Sequence, residues 1–136
     1  MKNIFIPASA SSPEVDFRFD ERLLSLKGEA YPENAALFWG ELISAVRSFT
    51  ENDASRECIT INVGLAYFNS SSTKMLFSLF DMLNEKAAAG TPVTLNWYHD
   101  ADDDTIYEFG QELCEDFTEL DFQNHALQTD GGHTSF

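Results

Sequence analysis

Basic residues run out early in this chain: after Lys86 there is no Lys or Arg at all. Over 136 residues, 8 basic side chains stand against 23 acidic ones, a formal net charge of −15. Residues 1–86 hold all 8 basic residues and 12 of the acidic ones, and residues 87–136 hold the other 11. Such a surface repels phosphate backbones and anionic lipid, which excludes nucleic acid and membranes as direct partners. A solvated face accounts for the acidic half, and a basic docking surface on a protein partner is the functional alternative. Long hydrophobic runs are also missing. No segment approaches the roughly 18 continuous apolar residues of a membrane span. Ile4-Phe5-Ile6 before Pro7 is too short for a signal peptide's core. A cytoplasmic location follows by elimination.

Cysteine is scarce. Cys58 opens a strand-like run and Cys114 lies among apolar helix positions, with no Cys-x-x-Cys pair and no metal-type spacing. Two small buried thiols in a reducing compartment are the expectation. His99, His125 and His133 are scattered. There is no His-Glu-x-x-His, phosphate-binding Gly loop, Gly-x-Ser-x-Gly elbow or dinucleotide fingerprint, so neither a metal nor a cofactor is expected. Asp100, Asp102 and Asp104 match the first acidic positions of a calcium loop. Thr105 then stands where Gly is needed and Gln111 where a bidentate Glu is needed. Capping and the helix dipole explain these acids better.

What the chain does have is enough apolar material for one domain: 43% hydrophobic residues, with 12 Phe. A single domain over 1–128 and a loose tail over 129–136 are expected. A first strand lies near Asn3–Pro7. Val15, Phe17 and Phe19 alternate with Asp16, Arg18 and Asp20, a half-buried strand whose hairpin partner is Leu24–Glu29. Pro32 in Tyr31-Pro32-Glu33-Asn34 suits a helix start. The helix continues through Phe38, Leu42, Ala45 and Phe49. Ile59, Ile61, Val63 and Leu65 form one face of a strand, and Val93, Leu95 and Trp97 one face of another. A helix from about Ser71 to Ala89 separates them, stopped by Gly90 and Pro92. A third helix spans about Asp103–Asp116, and a last strand Asp121–Gln128. Strands apolar on one face only argue against a doubly wound sheet, whose strands are apolar throughout. The expected fold is therefore α/β, a mixed sheet with helices packed on one face and an N-terminal hairpin at its edge.

One turn stands out. Asn69-Ser70-Ser71-Ser72-Thr73 lies between the end of a central strand and the start of the second helix. Capping of exposed N–H groups explains such a turn without any further role. The position also suits a phosphate, because a dianion there meets free N–H donors and the positive end of the helix dipole. Lys74, four residues after Ser70, could pair with that charge. Spacing alone leaves capping the simpler reading. Ser70 with His99, as nucleophile and base at a polar sheet end, gives the alternative of a catalytic or small-molecule-binding domain. A constitutive adaptor is a third possibility.

Tyr31-Pro32-Glu33-Asn34, Tyr67-Phe68-Asn69-Ser70-Ser71-Ser72-Thr73-Lys74 and Phe80-Asp81-Met82-Leu83 resemble the SiaC family of bacterial regulatory phosphoproteins. The likeness extends through Asn96-Trp97-Tyr98 and Phe109-Gly110-Gln111-Glu112, over roughly residues 4–127. The family looks like a relative of STAS-type anti-sigma-factor antagonists, so the resemblance implies a STAS-like fold. It also implies a switch without enzymatic activity of its own. A kinase of histidine-kinase-like ATPase fold would phosphorylate the chain and a PP2C-type phosphatase restore it. The unphosphorylated form would bind a diguanylate cyclase and promote cyclic-di-GMP synthesis and biofilm formation. Carried over by position, the phosphoacceptor is Ser70, with Ser71 and Ser72 as neighbouring alternatives. Well-known members have Thr at that position, and the chemistry tolerates Ser. Asn69, Ser70, Ser71 and Lys74, with Glu33 and Asn34 from the flanking helix start, form the implied partner-binding set.

Overall fold

The computed structural model describes residues 2–127. The expected tail over 129–136, with His133, and the last residue of the expected final strand, Gln128, lie outside the described residues. Six strands form one sheet in sequence order: β1 (Ile4–Ile6), β2 (Glu14–Arg18), β3 (Leu23–Ala30), β4 (Ile59–Phe68), β5 (Val93–Asp100) and β6 (Asp121–Leu127). The first three pair antiparallel, and β3 through β6 pair parallel. The helices are α1 (Ala35–Asn52), α2 (Ser70–Ala88) and α3 (Asp104–Asp116), each following one of the parallel strands β3 to β5.

The period-2 pattern puts Phe17, Leu24, Ile61, Leu95 and Phe122 in register across the sheet, on the face that meets the helices. There they join Trp39, Leu42 and Val46 of α1, Leu76, Leu79, Phe80 and Leu83 of α2, and Ile106 and Leu113 of α3 in one core. The other face carries Asp16, Ser25, Asn62, Asn96 and Gln123 in the adjacent register row, and the three helices of the described residues pack against the apolar face instead. Asn96 donates to Asn62 Oδ1 at 2.8 Å, and His125 Nε2 lies 3.0 Å from Asn96 Oδ1. A mixed sheet helical on one face and polar on the other is what the one-sided strands require.

Three local expectations need correction. Pro32 does not open α1: the helix starts at Ala35, capped by Asn34, whose Oδ1 accepts from Leu37 N at 3.0 Å. Asn competes better for a cap than Pro does for the first turn, because its side chain satisfies an orphan N–H. Phe19 is not in the strand but in a short 3-10 turn, Phe19–Glu21, where its ring still reaches the core and packs on Phe49. Cys58 and Cys114 are both exposed rather than buried. Cys58 lies just before β4, and Cys114 faces away from the core beside Leu113, which is buried.

Gly90 ends α2 with φ +114°, a conformation L side chains rarely adopt. Gly110 is required for another reason. A Cβ there would lie 2.6 Å from Trp97 Cδ1, so α3 is pressed against the Trp97 ring, whose Nε1 donates to Ile106 O at 3.0 Å.

Candidate functional site

The C-terminal ends of the parallel strands gather the candidate residues. Ala30 and Phe68 are register partners at the ends of β3 and β4, and Asn69 N donates to Ala30 O at 3.1 Å. The chain therefore leaves both strands at the same level, and the starts of α1 and α2 flank that edge.

Asn69 is the N-cap of α2. Its Oδ1 accepts from Ser72 N at 2.9 Å, and its carbonyl accepts from Thr73 N at 2.9 Å and Thr73 Oγ1 at 3.0 Å. Ser70 is then the first helical residue. The hydroxyls of this run have different surroundings. Ser70 and Ser71 are exposed. Ser72 is fully buried, and its Oγ accepts from Trp39 Nε1 at 3.0 Å. Trp39 is itself fully buried in the core, so this bond satisfies an indole N–H that has lost water. Leaving it unpaired would cost about 1–3 kcal/mol. Three adjacent serines thus divide into two presented to solvent and one holding α1 to α2.

Lys74 is exposed and has no ion pair among the described residues. One helical turn separates it from Ser70, the spacing at which side chains meet on a helix surface. Glu33 is exposed, while the Asn34 side chain is used as a cap. Sequence reasoning missed the aromatic pair beside the turn. Tyr31 and Tyr67 meet edge to face with ring centroids 5.6 Å apart, and both are exposed. Only the β3–β4 register brings them together.

No hydrogen bond links His99 to Ser70. His99 is buried on the helix face of β5, its ring 5.3 Å from that of Tyr107. Its Nδ1 lies 2.8 Å from Asp100 O, a carbonyl that can only accept, so Nδ1 carries the proton. Nε2 is enclosed in the protein, with no hydrogen-bond partner among the described residues. The neighbouring acids serve the backbone: Asp103 Oδ1 caps α3 through Ile106 N at 3.0 Å, and Asp100 Oδ1 accepts from Asp102 N at 2.9 Å. Both acids therefore have the backbone-capping role expected of them.

The opposite edge of the sheet has the only strongly perturbed carboxylate among the described residues. Arg22 donates to both oxygens of Asp53, at 2.7 and 2.9 Å, and Lys86 Nζ lies 3.2 Å from Asp53 Oδ2. The Arg22 guanidinium holds the Asp53 carboxyl down to about 2, with help from Lys86. Lys86 also donates to Thr50 O and Asp53 O at the end of α1, and Arg22 to Glu57 O. These groups are occupied by one another and tie together the hairpin, α1 and α2.

Comparison with known proteins agrees with this architecture. A protein of Pseudomonas aeruginosa (strain UCBPP-PA14) is 32% identical over 116 residues, covering 85% of this chain and 90% of that protein. The structure of P. aeruginosa SiaC, solved as the activator of the diguanylate cyclase SiaD in complex with it, matches with a TM-score of 0.84 at 29% identity. That match covers 91% of this chain and 99% of the other. Apo-SiaC from the same organism matches with a TM-score of 0.76 at 29% identity, over 93% and 100% of the two chains. The sequence model of the SiaC family of regulatory phosphoproteins matches residues 6–127, and the chain belongs to that family.

Proposed function

We propose that this chain is a cytoplasmic, phosphorylation-controlled protein-binding switch whose phosphoacceptor is Ser70 and whose unphosphorylated form binds and activates a diguanylate cyclase. The observation that carries the reading is the contrast within the turn: Ser70 is exposed at the first position of α2, while Ser72 is buried against Trp39. A kinase can reach the first hydroxyl without unfolding anything, whereas reaching the second requires opening the α1–α2 contact. Ser71 is exposed too and remains the neighbouring alternative.

The chemistry follows from the position. A kinase of histidine-kinase-like ATPase fold transfers the γ-phosphoryl group of ATP to Ser70 Oγ. The hydroxyl proton goes to a base on the kinase, and ADP leaves. A PP2C-type phosphatase hydrolyses the ester, returning the hydroxyl and inorganic phosphate. The modified turn carries about 1.5–2 additional negative charges. A partner surface shaped for a neutral hydroxyl then meets repulsion and a desolvation cost. A loss of about 3 kcal/mol lowers affinity more than a hundredfold. The known activity of SiaC toward SiaD supports a cyclase as the partner class.

Incubation with ATP and the cognate kinase, followed by intact mass and site mapping, tests the acceptor. One phosphate on Ser70, abolished by Ser70→Ala, is expected. Stoichiometric phosphate elsewhere would remove Ser70 from the account. For the output, Ser70→Asp should weaken cyclase binding and Ser70→Ala should retain it; equal affinities would refute the switch.

A further inference from the structure

Tyr67 points where strict alternation along β4 would not put it. Gly28, Glu29 and Ala30 of β3 face Leu65, Tyr67 and Phe68 of β4, so Ala66 is an extra residue with no partner in β3. Such a bulge reverses the phase of the residues after it. Phe68 turns to the helix side, its ring against those of Trp97 and Phe109, and Tyr67 turns to the opposite face. There it meets Tyr31 edge to face, with Tyr31 38% and Tyr67 51% exposed. Glu29, directly opposite Tyr67 in the register, is exposed on the same face. The other carboxylates of this face are engaged: Glu14 with Lys27, Asp16 with Arg18, Asp100 with Asp102 N and Asp121 with Gln123. The Glu29 carboxylate has no hydrogen bond or ion pair among the described residues.

We propose that Tyr31, Tyr67 and Glu29 form a docking site for an arginine side chain of a protein partner. A free carboxylate beside two exposed rings fits a cation, and the cations of this face, Arg18 and Lys27, are already paired. The rings add attraction through their quadrupole. A guanidinium uses both features at once: it is planar enough to lie on a tyrosine ring, and its N–H fork bonds a carboxylate through two atoms. An ammonium has no such plane or fork. Tyrosines that support each other also lose little freedom on binding. The net charge of −15 favours a basic partner surface in the same sense. Neither Ser70 nor Lys74 belongs to this site, so it stands or falls separately from the switch.

The test is an NMR titration of the uniformly labelled full chain with acetyl-Gly-Arg-Gly-amide, set beside the lysine counterpart and free L-arginine. The ring resonances of Tyr31 and Tyr67 should shift saturably, with a Kd on the order of millimolar. Tyr107, 41% exposed among the acids of α3, should not shift. Glu29→Gln should weaken binding about 3-fold and Tyr67→Ser about 5-fold, the worth of one exposed ion pair and one cation–ring contact. The lysine peptide should bind about 3-fold more weakly. Glu29→Gln changes an exposed side chain and carries the test if Tyr67→Ser fails to fold. Shifts confined to α3, with Tyr31 and Tyr67 unmoved, would show cations merely collecting on the acidic half of the chain and would overturn the site. Equal binding by Glu29→Gln or by the lysine peptide would overturn it as well. Tighter binding of free L-arginine than of the peptide would make the occupant a small molecule and overturn the assignment to a protein partner.

Discussion

The two edges of the sheet treat their charged and polar groups in opposite ways. At the N-terminal ends of the parallel strands, Arg22, Asp53 and Lys86 satisfy one another and the carbonyls at the end of α1. At the C-terminal ends, Ser70, Ser71 and Lys74 are exposed, and Tyr31 and Tyr67 are 38% and 51% exposed. Groups that saturate each other hold a fold together and have little left for a partner. Unsatisfied groups on a rigid frame are what a binding and modification site needs. Ser72 is the boundary between the two regimes: its backbone belongs to the presented turn, but its hydroxyl is part of the core.

Substitutions at each edge should therefore produce different kinds of effect. The largest is at the presented edge. A phosphate on Ser70 should lower cyclase affinity about a hundredfold while shifting the melting temperature by no more than a few degrees. At the satisfied edge the pattern inverts. Asp53→Asn, which leaves Arg22 and Lys86 partly buried without their counter-ion, should cost about 2–3 kcal/mol in denaturant unfolding. Cyclase affinity should be unchanged.

The same residue predicts a pH dependence. The folded-state value of Asp53 is depressed from 3.8 to about 2. Its contribution is therefore complete above about pH 4 and is lost as pH falls from there toward 2. Unfolding free energies measured between pH 5 and 2 should fall less steeply for Asp53→Asn than for wild type; parallel curves would show that the pair contributes nothing. At the boundary, Ser72→Ala should cost about 1–2 kcal/mol by stranding the Trp39 N–H, and should shift indole fluorescence without blocking phosphorylation at Ser70. Gly110→Ala, remote from both edges, should cost about 1–3 kcal/mol, because its methyl group has to displace the Trp97 ring.

The fold was legible wherever one residue type repeats at a period. Ile59, Ile61, Val63 and Leu65 against Thr60, Asn62 and Gly64 revealed a one-sided strand, and from it the helices on a single face. The turn was legible as a helix start because Asn and Ser have known capping chemistry. Its division into exposed and buried hydroxyls was not. Ser70, Ser71 and Ser72 are identical letters, and only the 100° rotation per helical residue together with the position of Trp39, 33 residues earlier, separates them. Arg22, Asp53 and Lys86 are likewise far apart in the chain and meet only through the topology. Exposure misled at the cysteines: Cys114 neighbours the buried Leu113, yet a one-residue step along a helix moves a side chain out of the core stripe. The assignment of Ser70 as phosphoacceptor is what the family resemblance implies, and spacing alone does not rank it above a cap.

The central claim is that the presented edge works as a switch through Ser70. It is tested most directly by titrating the diguanylate cyclase with the chain carrying one mapped phosphate on Ser70 and with the same preparation after phosphatase treatment. The account predicts tight binding after treatment and at least a hundredfold weaker binding before it. Equal affinities, with the phosphate confirmed on Ser70, would contradict it.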